Sequence, residues 1–228
     1  MLPTLKTIAK AILGRDLIYR RDIDCAVLLL GSDYEGWRVA EGILDKNSVV
    51  YSFGIGTDAS FDLALIARYG LAVHAFDPTP QSIAWVKHSR LPEAFILHEY
   101  GLAARDGGVA FRPPENPTHV SHRLMTEEEY EPRDVRLPVK KLTTIMRELG
   151  HERIDLLKMD IEGAEYDVIE DLAKSSIRPK QILVEFHHRF PGISVATTRK
   201  SINTLRSMGY ALFSVSRSNR ELSFILRA

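Results

Sequence analysis

The amino-acid sequence predicts an α/β fold whose mostly parallel sheet ends in an antiparallel hairpin. Short runs rich in β-branched and aromatic residues alternate with amphipathic helical stretches, which is typical of crossover units around a parallel sheet. Near the C-terminus, the apolar runs YALFSVSR and ELSFILRA are separated by only three residues. Parallel neighbours need a connection of about a dozen residues or more, so these two runs must pair antiparallel.

Each element follows from its own pattern. Short apolar runs predict strands at 48–53, 72–76, 94–103, 154–160, 180–186, 210–217 and 221–228, with a short extra strand at 107–113. Apolar residues at helical spacing predict helices at 60–69, 81–89, 142–150, 164–174 and 197–209. Gly70 and Gly150 stand at the ends of two of these helices and are predicted as their C-caps.

Length and composition favour one globular unit. The chain has 228 residues, of which 45% are hydrophobic and 26% charged, and it is expected to form a single domain over residues 1–228. Residues 1–47 are interpreted as an N-terminal helical cover segment and residues 48–228 as the core. Thirty basic and 30 acidic residues cancel, so no net field would attract polyanions and nucleic acid is not expected as a partner.

The cysteine count and the N-terminus bear on the compartment. Cys25 is the only cysteine, which excludes an intramolecular disulfide framework and a multi-cysteine metal site. A reducing, cytoplasmic setting fits this usage. The opening stretch MLPTLKTIAKAILGRDLIYRR contains neither a long apolar run nor a small-residue cleavage site, so no membrane span and no signal peptide are expected.

Residues 113–134 form the longest segment without periodicity, and they are polar and rich in proline. Loops of this length in compact domains are usually functional or mobile, so the segment is a candidate lid or substrate loop. A disordered surface insertion is the alternative. His119 and His122 lie in this segment, and they could either reach a crevice or remain solvated.

The most informative motif is the turn after the first core strand. Gly54 and Gly56 lie between that strand and a helix, where the absence of a Cβ lets backbone N–H groups approach a ligand. Asp77 ends the second core strand, where a carboxylate can accept hydrogen bonds from ribose hydroxyls. Together these residues predict an adenosine-type ligand. The sequence GIGTDA also satisfies the dinucleotide fingerprint, with Ala59 in its third place, and a purely structural turn is a further alternative.

Two acidic residues at the start of the following helix discriminate between ligands. A pyrophosphate favours a helix N-terminus without negative charge, but Asp58 and Asp62 lie in this opening turn. They would repel phosphate and would favour a positively charged group, such as the ammonium or sulfonium of S-adenosylmethionine. The alternative for Asp58 is an ordinary helix N-cap.

A second polar cluster follows strands four and five of the core. Asp160 ends the fourth strand, and Glu185 and His187 end the fifth. In an open parallel sheet these ends meet beside the glycine turn. The three side chains could provide a general base or hold a divalent ion. Glu162 and Glu165, at the start of the next helix, could join them or simply complement the helix dipole.

Lys158 and Trp37 are further candidates near this crevice. Lys158 lies two residues before Asp160 and points to the same side of the strand. It could form a structural ion pair with Asp160 or Glu185, which is the favoured interpretation, or it could deprotonate a substrate hydroxyl. Trp37 could cover a ligand or pack in the core.

The segments VVYSFGIGTDASFD, HAFDPTP and LLKMDIEGAEYDVIEDL resemble the FkbM family of S-adenosylmethionine-dependent methyltransferases. The similarity runs from about Gly31 to the C-terminus, and KMDIEGAE is its most specific part. It implies the Rossmann-like fold of class I methyltransferases, with a seven-stranded sheet of order 3-2-1-4-5-7-6, an antiparallel strand seven and helices on both faces. Members of the family are mainly associated with O-methylation of sugars and natural products.

The predicted cofactor-binding residues are Ser52, Gly54, Gly56, Asp58, Asp77 and Asp160. Two of these depart from the general methyltransferase glycine pattern. Ser52 replaces the usual acid two residues before the first glycine, and Asp58 replaces the third glycine. Ser52 therefore lacks the carboxylate expected to contact the methionine end of the cofactor.

The sequence as a whole predicts transfer of a methyl group from S-adenosylmethionine to a hydroxyl of a sugar or another small polar acceptor. The candidate catalytic residues are Asp160, Glu185, His187 and Lys158. A metal-independent base is favoured over Mg²⁺ or Mn²⁺ held by the first three. Two alternatives stay open, an NAD(P)-dependent oxidoreductase that uses the GIGTDA turn and a non-catalytic nucleoside-binding module.

Overall fold

The structure, a computed structural model, describes residues 5–32, 36–112, 123–125, 131–132 and 134–227. Most of the segment 113–134, which was predicted as a lid or substrate loop, lies outside the described residues. His119 and His122 lie outside them as well. Among the described helices, none is long and apolar enough to cross a membrane.

Strands and helices alternate along the described chain. The strands are β1 (Val27–Leu30), β2 (Trp37–Ala40), β3 (Val50–Phe53), β4 (Val73–Phe76), β5 (Phe95–His98), β6 (Gly101–Leu102), β7 (Gly107–Arg112), β8 (Arg123–Leu124), β9 (Val135–Lys140), β10 (Leu156–Met159), β11 (Gln181–Glu185), β12 (Tyr210–Val215) and β13 (Glu221–Leu226). The helices are α1 (Leu5–Ile12), α2 (Ser60–Tyr69), α3 (Pro80–His88), α4 (Leu142–Leu149), α5 (Glu165–Lys174) and α6 (Val195–Ser207).

Seven strands form the central sheet in the order β12-β13-β11-β10-β3-β4-β5. When only these seven are numbered along the chain, the order is 3-2-1-4-5-7-6, as predicted. Strand β13 runs antiparallel to both β11 and β12, whereas the pairs from β11 through β5 are parallel. The predicted C-terminal hairpin is therefore confirmed. The strand order also reverses between β3 and β10, where open parallel sheets bind ligands.

The N-terminal segment differs from the prediction. Residues 1–47 were interpreted as a helical cover, but after α1 they contain the antiparallel hairpin β1–β2. The hairpin packs on the central sheet because Trp37 and Val39 are buried and the backbone N–H of Ala40 donates to the side chain of Gln181 on β11 at 2.8 Å. Its alternating burial is a strand pattern that is too short to distinguish from a helical turn in the sequence.

A second sheet of order β6-β9-β7-β8 flanks the core. The predicted extra strand at 107–113 is confirmed as β7. Strand β9 was missed because Pro138 and alternating charges argue against a strand. It forms since Leu137 and Val139 are buried on one side, while Pro138 lies opposite Gly108.

The helix after the glycine turn forms as predicted. Phe61 and Leu65 of α2 are buried against the sheet, at the spacing of one helix face. The left-handed residue Gly70, at φ 66°, ends α2, and Gly150, at φ 69°, ends α4, so both predicted C-caps are confirmed.

A layer of histidine and tyrosine rings covers part of the sheet face opposite to α2. His74 Nδ1 lies 3.0 Å from His98 Nε2, and the Tyr51 hydroxyl lies 2.8 Å from His151 Nδ1. Burial, with a smaller effect of His151 and His98, lowers the pKa of His74 to about 4. Burial also lowers the pKa of His98 and of His151. The folded protein therefore keeps these rings neutral.

This layer predicts acid sensitivity. An unfolded histidine takes up its proton near pH 6.5, whereas folded His74 resists until about pH 4. The stabilisation is thus complete above pH 6.5 and is lost as the pH falls toward 4. We expect the free energy of unfolding, measured by urea titration, to fall between pH 7.5 and 5, and to fall less in His74→Phe. An equal fall in both proteins would contradict this assignment.

Candidate active site

The glycine turn is pressed against the end of β10. Gly54 and Gly56 have φ values of 81° and 57°, in the left-handed region that favours glycine. A Cβ on Gly54 would lie 1.8 Å from the backbone oxygen of Asp160. The Gly54 N–H also donates to Phe76 O at 3.0 Å. Only glycine fits at position 54, and this close approach leaves the turn open toward the carboxyl ends of the strands.

Asp77, which directly follows β4, holds this turn in place through hydrogen bonds. Its Oδ2 accepts the backbone N–H groups of Ile55 and Gly56 at 2.9 and 3.0 Å. Its Oδ1 accepts the N–H and the hydroxyl of Thr79 at 2.9 and 2.6 Å. These four donors occupy about as many lone-pair positions as a carboxylate has. The structure thus gives Asp77 a turn-holding role that the sequence did not reveal.

One cleft collects most of the residues predicted for the cofactor. The cleft is partly open to solvent and is lined by both polar and apolar residues, as expected of a small-molecule site. Six predicted residues line it: Gly54, Gly56, Asp58, Asp77, Lys158 and Asp160. Trp37 and Phe61 contribute apolar walls. Ser52 is fully buried and lies beneath the cleft in β3, opposite Lys158 of β10.

The two acids of the turn have different surroundings. Asp58 Oδ1 accepts the Ser60 N–H at 2.6 Å, and Asp58 Oδ2 accepts the Ser32 hydroxyl at 3.3 Å. Asp62 lines the same cleft but is only 2% exposed. Its Oδ1 has no hydrogen-bond partner among the described residues. The N-cap residue of α2 is Ala59, so the alternative of Asp58 as the N-cap is wrong, although its side chain does bind the first N–H group of the helix.

Lys158 is bonded to carbonyl groups, contrary to the predicted pairing with Asp160 or Glu185. Its Nζ donates to Gly54 O at 2.5 Å and to Phe53 O at 3.4 Å. It also lies 5.5 Å from the centre of the Trp37 ring. Lys158 thereby stabilises the glycine turn through its backbone carbonyls. Trp37 is buried in the core and also lines the cleft.

A buried carboxylate orients His187. Glu165 is fully buried, and its Oε1 accepts the backbone N–H of His187 at 3.0 Å and contacts His187 Nδ1 at 3.0 Å. Its Oε2 accepts the Gly163 N–H at 2.9 Å. An ionised carboxylate only accepts, so Nδ1 carries the hydrogen. The helix-dipole interpretation of Glu165 missed this contact, which no sequence signal indicated.

The other ring nitrogen of His187 faces three carboxylates. His187 Nε2 lies 3.4 Å from Glu162, 3.7 Å from Asp160 and 4.0 Å from Glu185. Glu162 adopts a left-handed φ of 52°, which is uncommon outside glycine. Arg220 lies 3.2 Å from Glu185. The predicted cluster of Asp160, Glu185 and His187 is thus assembled.

The protonation states within the cluster follow from burial and charge. Burial opposes a charge on His187, but Glu165, Glu162 and Asp160 raise its pKa to about 10. Burial and the Asp160 carboxylate raise the pKa of Glu185 to about 8. Burial also raises the pKa of Asp160, against the opposing charges of Lys158 and His187. These surroundings favour a protonated imidazole at neutral pH, and the role of His187 as the base stays a prediction.

The same three residues could hold a cation. One ligand atom from each of Asp160, Glu185 and His187 lies within 4.8 Å of the others, and oxygen ligands with one imidazole suit Mn²⁺ or Mg²⁺. The orientation of His187 by Glu165 also resembles the carboxylate–histidine arrangement around metals. A protonated His187 would offset the negative charge of the carboxylates as well as a bound metal ion would.

Comparison with known proteins covers most of the chain. Residues 49–212 match the family model of the methyltransferase FkbM domain. The probable methyltransferase-like protein 24 of Homo sapiens is 28% identical over 170 residues, which are 73% of this chain and 40% of that protein. The chain thus spans about two fifths of that relative's length.

Two further matches are more distant. The hexuronic acid methyltransferase AglP of Haloferax volcanii is 22% identical over 188 residues, which are 80% of this chain and 71% of that protein. Among solved structures, Aeropyrum pernix fibrillarin in complex with natively bound S-adenosyl-L-methionine gives a TM-score of 0.46 at 11% identity. That match covers 82% of this chain and 68% of the fibrillarin chain.

Proposed function

Because the chain belongs to the FkbM family of methyltransferases, we propose that it methylates a hydroxyl oxygen of a sugar or another small polar acceptor. The observation that carries this proposal is Asp160, a carboxylate that lines the cleft beside the glycine turn. Its Oδ1 is buried and has no hydrogen-bond partner among the described residues. An oxygen nucleophile needs such a group, since its proton must leave during transfer.

The residues of the cleft fit S-adenosylmethionine. The turn at Gly54 provides the close backbone approach that an adenosyl group requires, and the acids Asp58 and Asp62 favour a cation over a pyrophosphate. When bound, the cofactor supplies an electrophilic methyl group. The residues present disfavour the nicotinamide dinucleotides of the oxidoreductase alternative, because their pyrophosphate would meet both carboxylates.

Asp77 is proposed to hold the cofactor indirectly, by shaping the turn that binds it, because its lone pairs are already taken by donors of Ile55, Gly56 and Thr79. We expect Asp77→Ala to weaken S-adenosylmethionine binding, measured by calorimetry, by about 1–3 kcal/mol, since two N–H groups of the turn lose their charged acceptor. The fold should survive. Unchanged affinity in a folded variant would remove Asp77 from the site.

In the proposed mechanism the chain contributes alignment and a base. Asp160 accepts the proton of the acceptor hydroxyl, and its raised pKa brings it nearer to neutrality, where a general base is most effective. His187 acts as a positioning residue, because its positive charge lies 3.7 Å from Asp160 Oδ1. Holding the acceptor in line can itself lower the barrier by several kcal/mol, roughly 7–11 at most.

Chelation separates this mechanism from a metal-assisted one. We expect activity to be unchanged after exhaustive treatment with EDTA, because protonated His187 already supplies the positive charge in the cluster. A bound metal would instead lower the pKa of the acceptor hydroxyl. Loss of activity in EDTA, with recovery on adding Mn²⁺ or Mg²⁺, would overturn the metal-independent mechanism.

The acceptor class is tested with a panel of compounds. The name of the relative AglP supports acidic sugars, so the panel should contain hexuronic acids, neutral hexoses, and amines of similar size. Mass spectrometry of the products is expected to show a mass gain of one methylene on a sugar, lost when the reacting hydroxyl is replaced by hydrogen. Methylation of the amines alone would contradict an oxygen acceptor.

A further inference from the structure

Asp62 is a buried carboxylate with one oxygen that lacks a hydrogen-bond partner among the described residues. It is only 2% exposed and lines the cleft, and the oxygen without such a partner is Oδ1. The hydroxyl of Ser52 is likewise buried without one. Leaving such groups unpaired is costly. An acid that merely complements the helix dipole can remain in solvent, so the dipole does not account for its burial.

Lys158 places the opposite charge in the same part of the cleft. It is buried at 6% exposure and lines the cleft together with Asp62. Burial, the largest effect, raises the pKa of Asp62, and the charge of Lys158 opposes this shift. Two of the three ammonium hydrogens of Lys158 have acceptors, the backbone oxygens of Phe53 and Gly54, so one remains to donate to a ligand.

We propose that Asp62 and Lys158 bind the amino-acid end of the cofactor, with Asp62 accepting from its α-ammonium group and Lys158 donating to its α-carboxylate. A buried acid beside a buried lysine is complementary to an α-amino acid zwitterion. Asp62, in the first turn of α2, thereby supplies the carboxylate that is missing at Ser52 of β3. The assignment rests on the proposed use of S-adenosylmethionine.

Calorimetry with two adenosyl ligands tests the Asp62 contact without an activity assay. S-adenosylhomocysteine carries the ammonium and the carboxylate, whereas 5′-methylthioadenosine carries neither. Asp62→Asn has the same shape and is expected to weaken S-adenosylhomocysteine binding about 10- to 100-fold, while 5′-methylthioadenosine binds as it does to the wild type. Glu41→Gln is the matched control, because it removes an exposed carboxylate that pairs with Arg68 on the surface of α2 and is not among the described residues that line the cleft, and it is expected to change S-adenosylhomocysteine affinity by less than about threefold.

The outcomes are distinguishable. Equal weakening of both ligands by Asp62→Asn, or unchanged S-adenosylhomocysteine affinity, would overturn the subsite. Failure of the wild type to bind either ligand would instead overturn the use of S-adenosylmethionine.

For Lys158 no substitution is needed, since decarboxylated S-adenosylmethionine keeps the ammonium but lacks the carboxylate. It is expected to bind the wild type about tenfold or more weakly than S-adenosylmethionine, and equal binding would remove Lys158 from the subsite.

Discussion

Gly54→Ala is expected to abolish cofactor binding and to destabilise the fold by about 2–5 kcal/mol. The added methyl group would lie 1.8 Å from the backbone oxygen of Asp160, so β3 and β10 must separate at the point where the cleft forms. The φ of 81° adds backbone strain. Calorimetry with S-adenosylhomocysteine and thermal unfolding would measure the two effects.

Gly70→Ala is the matched control. Gly70 has a similar φ of 66°, but no atom lies within 4 Å of its added Cβ. The variant should therefore lose only about 1–2 kcal/mol of stability and should bind S-adenosylhomocysteine normally. Equal behaviour of the two variants would mean that the contact with Asp160 does not determine the cleft.

Asp160→Asn is expected to lower the rate of methyl transfer by about 10²- to 10⁴-fold, the range for loss of a general base. The amide keeps the shape of the carboxylate but does not accept a proton. Affinity for S-adenosylhomocysteine should change by less than about threefold, a few tenths of a kcal/mol. The rates would be measured with an acceptor identified from the panel.

Glu185→Gln provides the comparison for Asp160. Glu185 belongs to the same cluster but pairs with Arg220, and within the described part of the chain it does not line the cleft. We expect its loss to slow transfer less than that of Asp160. If Asp160→Asn mainly weakened S-adenosylhomocysteine binding, Asp160 would be a cofactor ligand rather than the base.

Much of the fold was predictable because it depends on local patterns. The strands β3, β4, β10 and β11 are short, mostly apolar and almost entirely buried, and α2 begins and ends where its apolar spacing and Gly70 indicate. The FkbM family was predicted as well, and the family match confirms it. The hairpin β1–β2 was missed because its burial depends on packing against β11, which lies far away in the sequence.

The roles of individual site residues were less predictable. Asp77 and the turn it holds are 21 and 22 residues apart, and Glu165 and His187 are likewise 22 apart. Such contacts arise only when the crossovers bring strand ends together. The protonation state of His187 could not be predicted from the sequence either. Its charge is set by three acids, Glu165, Glu162 and Asp160, rather than by its own sequence neighbours.

The proposed use of S-adenosylmethionine is tested most directly by a parallel calorimetric titration of the unmodified protein with S-adenosylmethionine, S-adenosylhomocysteine and NAD. We expect saturable binding of the first two ligands with one site per chain and no binding of NAD, whose pyrophosphate would meet Asp58 and Asp62. Binding of NAD in preference to both adenosyl ligands, or no binding of either adenosyl ligand by the folded protein, would contradict this proposal.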